Sequence, residues 1–222
     1  MSNKKKAQNP KYVQIQKEFK PRTINQNTYV RSMIENDVTF CTGVAGTGKT
    51  SCSVGLGCSW LAEGKITRIV ITRPIVETSK KGLGFLPGNL LEKVHPYLIP
   101  ILDEMNMYFH QFDVENMLSK GIVDVVPLEY MRGRNFHDTF MILDEAQNAS
   151  YDQLKMFLTR IGKNAKAVIN GDVRQSDLHL DVNPLSVCMD KLEGVEGVGI
   201  VRLGPEDIQR SGIISRILAR LD

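Results

Sequence analysis

Gly43-Val-Ala-Gly-Thr-Gly-Lys-Thr50 fits the GxxxxGK[ST] pattern at every fixed position, and its surroundings decide what the pattern means. Before it, Val38 to Cys41 reads as a short buried strand; after it, Lys49 to about Ala62 reads as a helix. A strand feeding a helix through a glycine-rich loop makes an anion cradle, because exposed backbone N–H groups and the positive end of the helix dipole converge there. Gly46 and Gly48 let the backbone curl with no Cβ in the way. Gly43, Val44, Ala45, Gly46, Thr47, Gly48, Lys49 and Thr50 are thus the expected ATP-binding segment, with Lys49 on the β and γ phosphates and the Thr50 hydroxyl offered to Mg²⁺. The bland alternative is a glycine-rich turn with an incidental lysine.

The second half of such a site is expected from a neighbouring strand. Phe140-Met-Ile-Leu-Asp-Glu-Ala-Gln147 is an apolar run that ends abruptly in two carboxylates, and charge at the carboxyl end of a buried strand must be solvated, paired or metal-bound. Asp144 is expected to hold Mg²⁺ through water, and Glu145 to orient and deprotonate the attacking water. Acids suited to a helix N-terminus would look similar, since Asp152 opens a helix soon after. Ala167-Val-Ile-Asn-Gly-Asp172-Val-Arg-Gln175 repeats the arrangement of strand, glycine, acid and amide. It reads equally as a γ-phosphate sensor coupled to a moving segment or as a plain Gly-Asp turn.

Outward from these motifs the pattern alternates β and α, which predicts an α/β domain with a mainly parallel sheet. Gln26 to Ile34 carries Tyr29, Val30, Met33 and Ile34 at helical spacing. Ile66 to Thr72 and Ile122 to Val126 read as strands, Leu90 to about Met107 and Asp152 to Ile161 as helices. Gly199 to Leu203 reads as a last strand and Ile213 to Leu221 as a last helix. Between Arg73 and Asn89, three glycines and two prolines mark a loop. There Arg73, Lys80, Lys81 and Phe85 combine cations with an aromatic, the composition of a nucleic-acid contact and also of a solvated loop.

The 222 residues allow one full domain, taken as residues 21–222 behind a basic arm of residues 1–20. A net charge of +3 is too small to identify a nucleic-acid binder, although seven lysines and arginines crowd the first 22 residues against Glu18. The four cysteines show no CxxC spacing and the four histidines no ligand pattern beside them, so reduced, non-ligating residues are expected. No apolar run approaches the roughly 18 residues that span a bilayer, and no signal-type stretch follows Met1 to Lys6. The expectation is a cytoplasmic protein without membrane contact.

These residues resemble the PhoH-like P-loop ATPases, which look like a lone first motor domain of superfamily 1 helicases. The similarity spans roughly Pro21 to Ile217 and rests on the loop ending at Thr50, Thr72-Arg-Pro-Ile-Val-Glu77 and Leu83-Gly-Phe-Leu-Pro-Gly-Asn-Leu90. It continues through Pro127-Leu-Glu-Tyr-Met-Arg-Gly-Arg134, Ile142-Leu-Asp-Glu-Ala-Gln-Asn148, Met156-Phe-Leu-Thr-Arg-Ile161 and Gly171-Asp-Val-Arg-Gln175. The resemblance implies a RecA-like three-layer sandwich and an ATPase assembled as a hexameric ring. Its implied substrate is RNA or single-stranded nucleic acid, with helicase activity in some members. By the same resemblance Gln26 reads the adenine edge, Gln175 senses the γ-phosphate, and Arg210 is the arginine of an Asp-x-x-Arg stretch. Ser211-Gly212 replaces the usual His-Pro after it, which weakens the transfer for Arg210. No nuclease-like extension is recognised. Because a motor of this kind closes two lobes on ATP and takes an arginine from the second, a single lobe is expected to borrow that cation from another copy. Arg132, Arg134 and Arg210 are the candidates.

Overall fold

The computed structural model describes residues 14–74, 99–175, 177–178, 182–209 and 220. Six strands form one sheet in the order β3-β2-β4-β5-β1-β6. They are β1 (Val38–Thr42), β2 (Arg68–Arg73), β3 (Val123–Pro127), β4 (Thr139–Leu143), β5 (Lys166–Gly171) and β6 (Val198–Arg202). Every pairing is parallel, so each connection must cross over the sheet.

Alternation along the strands builds two cores. Ile69 and Ile71 of β2, Phe140 and Ile142 of β4, and Val168 of β5 enter one cluster; Val70, Met141, Leu143, Ala167 and Ile169 enter the other. Because both faces are apolar, both need a layer of helices. On the first face lie α1 (Ile24–Glu35), α2 (Lys49–Ala62), the helical residues 99–106 and α3 (Gln111–Ser119), contributing Tyr29, Leu61, Met105 and Met117. On the second lie α4 (Tyr151–Leu158) and α5 (Pro184–Leu192), with Phe157 and Leu185. The result is the expected three-layer sandwich.

Helix starts follow local chemistry. Thr23 caps α1 by accepting from the Gln26 N–H, Ser150 and Gln153 form a capping box on α4, and Asn183 caps α5 with Pro184 in its first turn. The sequence reading passed over α3 and α5. In α3 only Val114 and Met117 are buried, too few for a periodic signal, whereas the Asn183-Pro184 start of α5 was legible and missed. The predicted helix from Leu90 begins among residues outside the described set, and Ile213 to Leu221 falls almost wholly outside it.

The end of the basic arm belongs to the packed body. Ile15 and Phe19 lie against the first core, Gln16 donates its backbone N–H to Tyr108 O at 2.7 Å, and Phe19 meets Tyr108 edge to face at 6.2 Å. Lys4, Lys5, Lys6 and Lys11 lie outside the described residues. Among the described residues no helix is long and apolar enough to cross a membrane, and the four cysteines are buried and unbridged.

Candidate functional site

The phosphate loop leaves β1 at Thr42 and enters α2 at Lys49. Gly46 and Gly48 hold φ of 86° and 88°, the left-handed region that a side chain disfavours. Gly48 is also tight, since a Cβ there would lie 2.6 Å from Gln26 Nε2. No side-chain cap bond is seen at the start of α2, and uncapped first-turn N–H groups are what an anion takes up at a helix N-terminus. Lys49 Nζ lies over the loop, donating to the Gly43 and Val44 carbonyls. The hollow above it, about 320 Å³, is lined by Lys49, Thr50, Asp144, Glu145 and Gly171 among others.

The acids arrive differently from expectation in one respect. Their strand β4 is not the neighbour of β1, because β5 lies between the two. The C-terminal end of β5 therefore sits at the centre of the site: Gly43 N–H donates to Gly171 O at 3.2 Å, and a Cβ on Gly171 would press on Leu185 and the Gln147 amide oxygen. Even so, Asp144 reaches the loop. Its Oδ1 accepts from Thr50 Oγ1 at 3.0 Å, and the residue is only 2% exposed.

Arg73 also departs from its sequence reading. It is the last residue of β2 rather than part of a loop, and its Nη2 donates to Asp144 Oδ2 at 2.6 Å. With its side chain 18% exposed, this guanidinium stands beside the first acid of the second motif. Lys80, Lys81 and Phe85, the other residues assigned to nucleic acid, lie outside the described set.

Glu145 is exposed and holds a left-handed backbone, φ 56° and ψ 38°, which turns the chain sharply as β4 ends. Its Oε2 accepts from Gln147 Nε2 at 2.6 Å. The same Gln147 amide accepts the Asp172 N–H at 3.0 Å, so one buried glutamine ties the end of β4 to the turn after β5. Within that turn Asp172 Oδ1 accepts from the Arg174 N–H, while the buried Oδ2 has no partner among the described residues. Gln175 follows, exposed, its N–H bonded to Asp172 O. The turn and the acid pair are thus one connected unit, although among the described residues the Gln175 side chain makes no bond to it.

Gln26 packs against the loop. It is 3% exposed, donates to Thr47 O at 2.9 Å and accepts from the Arg22 N–H at 2.8 Å. The chain after β6 closes on the same corner. Asp207 accepts from Thr23, the N-cap of α1, and from Asn25 in its first turn, and the Gln209 N–H donates to Gly46 O at 3.0 Å. Burial alone would raise the Asp207 carboxyl; the bonds from Thr23, Asn25 and the Gly204 N–H outweigh it and hold the group below its ordinary value. Arg210 lies outside the described residues.

Of the remaining candidates for an arginine acting in trans, Arg134 is already engaged. It donates to Asp124, which also pairs with Arg68, and its guanidinium lies 4.8 Å from the Phe136 ring centroid. Arg132 is exposed and borders a small hollow with Glu129 and Asp152.

The sequence reading missed a buried network directly behind the loop. Tyr29 OH donates to Asn170 Oδ1 at 2.6 Å, Asn170 Nδ2 donates to Ser53 Oγ at 2.9 Å, and Ser53 Oγ donates to the Lys49 and Thr50 carbonyls. Burial, with the nearby thiols adding to it, pushes the Tyr29 phenol well above its ordinary value, so it remains a donor. The usable signals were a tyrosine on an otherwise apolar helix face and an asparagine inside a buried strand.

Comparison with known proteins places this architecture. Structures similar to the chain include the large terminase of a thermophilic bacteriophage, with a TM-score of 0.55 at 11% identity over 91% of this chain and 51% of the other. The UvsW helicase of bacteriophage T4 aligns with a TM-score of 0.50 at 13% identity, covering 86% and 63%. At such identities the likeness concerns the fold alone, a RecA-like P-loop domain. In sequence, the chain is 42% identical over 207 residues to a PhoH-like protein of Bacillus subtilis, covering 93% of this chain and 65% of that protein. It is 40% identical over 195 residues to Protein PhoH of Escherichia coli, covering 86% and 54%, so it spans between about half and two thirds of these relatives' length. A family model described as PhoH-like protein matches residues 18–222, and with that match across almost the whole chain, this protein belongs to the PhoH-like family.

Proposed function

We propose that this chain binds and hydrolyses ATP, with Gly43 to Thr50 around the phosphates, Gln26 on the adenine side and Glu145 as the base that orients and deprotonates water. The observation that carries the reading is the 3.0 Å bond between Thr50 and Asp144, which joins the two motifs across an intervening strand at the floor of one hollow. A hydroxyl and a carboxylate are hard oxygen donors, the set that Mg²⁺ accepts alongside phosphate oxygens and water. Bound there, Mg²⁺ would neutralise charge building on the phosphates.

The chain's own contributions divide cleanly. Lys49 leaves its carbonyl partners to meet the β and γ phosphates. Gln147 fixes where the Glu145 carboxylate stands, and the Asp172 turn with Gln175 is the element that responds to the γ-phosphate. The proposal extends to a nucleic-acid-stimulated motor, an RNA helicase or translocase working as a ring of copies, with hexamers as the family resemblance implies. What supports this part is the helicase and terminase fold; in trans, Arg132 is favoured over Arg134, which is committed to Asp124 and Phe136, and Arg210 stands beside it as a candidate.

The test is ATP turnover at low salt, alone and with single-stranded RNA or DNA, together with solution mass. Turnover should rise with a polynucleotide, and Glu145→Gln should bind ATP yet hydrolyse it at least ~100-fold more slowly. ATP-dependent affinity for a strand, with turnover indifferent to it and duplexes left intact, would replace the motor by an ATP-gated binding module. Normal hydrolysis by Glu145→Gln would remove that residue from its role.

A further inference from the structure

A second hollow, of about 480 Å³, flanks the phosphate loop on its Gln26 side and shares Gly46, Gly48 and Ser51 with the smaller one over Lys49. The shared rim lets a ligand with phosphates in the smaller hollow extend into the larger. One wall of that larger hollow is Glu104, half-buried on the helical residues 99–106. Its Oε1 accepts from Ser51 Oγ at 2.7 Å and lies 3.5 Å from Tyr108 OH. Neither bond uses Oε2, and among the described residues no ion pair involves Glu104.

The chemistry narrows what this carboxylate can meet. An ionised carboxylate only accepts hydrogen bonds, so it repels a phosphate and takes a donor. Burial and the Glu104 charge push the Tyr108 phenol up to about 12, which keeps its proton and leaves Glu104 as the acceptor. Ser51 stands in the first turn of α2, two residues after Lys49. A group bonded to Ser51 is therefore beside the phosphates, and in a nucleotide the donors nearest the phosphates are the sugar hydroxyls. Acidic residues read ribose hydroxyls in the same manner in dinucleotide sites.

We propose that Glu104 is the sugar-reading residue of this site, its Oε2 accepting from the ribose 2′- and 3′-hydroxyls so that ribonucleotides are preferred over deoxyribonucleotides. Ser51 and Tyr108 act as positioning residues that hold Oε1. The inference rests on the nucleotide reading above and adds the part of the nucleotide that discriminates.

The experiment is calorimetric titration of the full chain with the magnesium complexes of ADP, 2′-deoxy-ADP, 2′,3′-dideoxy-ADP and GDP, for wild type, Glu104→Ala and Glu104→Gln. Wild type should bind ADP about tenfold or more tighter than the dideoxy compound, the scale of hydrogen bonds to a charged acceptor. Glu104→Ala should weaken ADP until the two bind within about twofold, and Glu104→Gln, which retains an acceptor oxygen, should fall between. Equal wild-type affinity for ADP and its dideoxy form overturns the proposal while leaving nucleotide binding intact. That comparison needs no variant to fold. A Glu104→Ala change that alters ADP against GDP but spares the sugar preference overturns it as well, assigning Glu104 to the base. Failure of wild type to bind any of the four overturns the nucleotide reading and this inference together.

Discussion

Tyr29→Phe removes one oxygen from the network behind the phosphate loop and changes almost nothing else. Tyr29 and Asn170 are both 0% exposed, and the Tyr29 hydroxyl is the donor that reaches Asn170 Oδ1, at 2.6 Å. The Asn170 amide cannot turn to compensate, because its Nδ2 is committed to Ser53 Oγ at 2.9 Å. Deleting the hydroxyl therefore strands a buried acceptor, a cost of about 1–3 kcal/mol. The space freed is below the ~10–15 Å³ that a water needs, so solvent does not restore the bond. For a chain of this size the melting temperature should fall by about 2–12 °C, and the urea midpoint should shift with little change in slope. Asn170→Leu alone should also destabilise, but the double variant should recover roughly 1 kcal/mol relative to the sum, since neither partner then remains unsatisfied. Thermal and urea unfolding of the four proteins measure this cycle. A Tyr29→Phe protein within about 0.5 kcal/mol of wild type, or additivity in the cycle, would show that this buried bond does not support the loop.

Gly48→Ala should abolish nucleotide binding and lower the melting point, because it adds ~1–2 kcal/mol of left-handed strain and drives a Cβ to 2.6 Å from Gln26 Nε2. Gly133→Ala, with φ of 78° but nothing within 4 Å of the added Cβ, should cost the backbone strain alone and leave nucleotide affinity unchanged in the same titration. Arg134→Ala should cost ~1 kcal/mol through Asp124 and Phe136 without slowing turnover per folded molecule, whereas Arg132→Ala should reduce turnover ~10³-fold if it acts in trans. For Asp207 the folded carboxyl ionises more readily than the unfolded one, so its stabilisation is complete above the ordinary value of 3.8 and drains away as pH falls through the lower folded value. The stability gap between wild type and Asp207→Ala, followed by denaturant titration, should therefore be constant near neutral pH and narrow only below about 3.8.

What the sequence determined by itself was local. A loop of fixed spacing between an apolar strand and a helix, and a buried strand ending in Asp144-Glu145, are each set by nearest-neighbour chemistry, so both halves of the site and the α/β class could be read before any contact was known. Which residues of β2, β4 and β5 enter each of the two cores was settled by the packing of helices on both faces of the sheet. Only the tertiary structure decided partners distant in sequence. It inserted β5 between the two motif strands and turned Arg73 from a loop cation into the partner of Asp144. It also committed Arg134 to Asp124 and brought Glu104 to Ser51 across 53 residues. Motif spacing encodes the turn that a chain makes with its own neighbours. Which distant acceptor a buried donor must find is fixed only when packing expels water and leaves it a single choice.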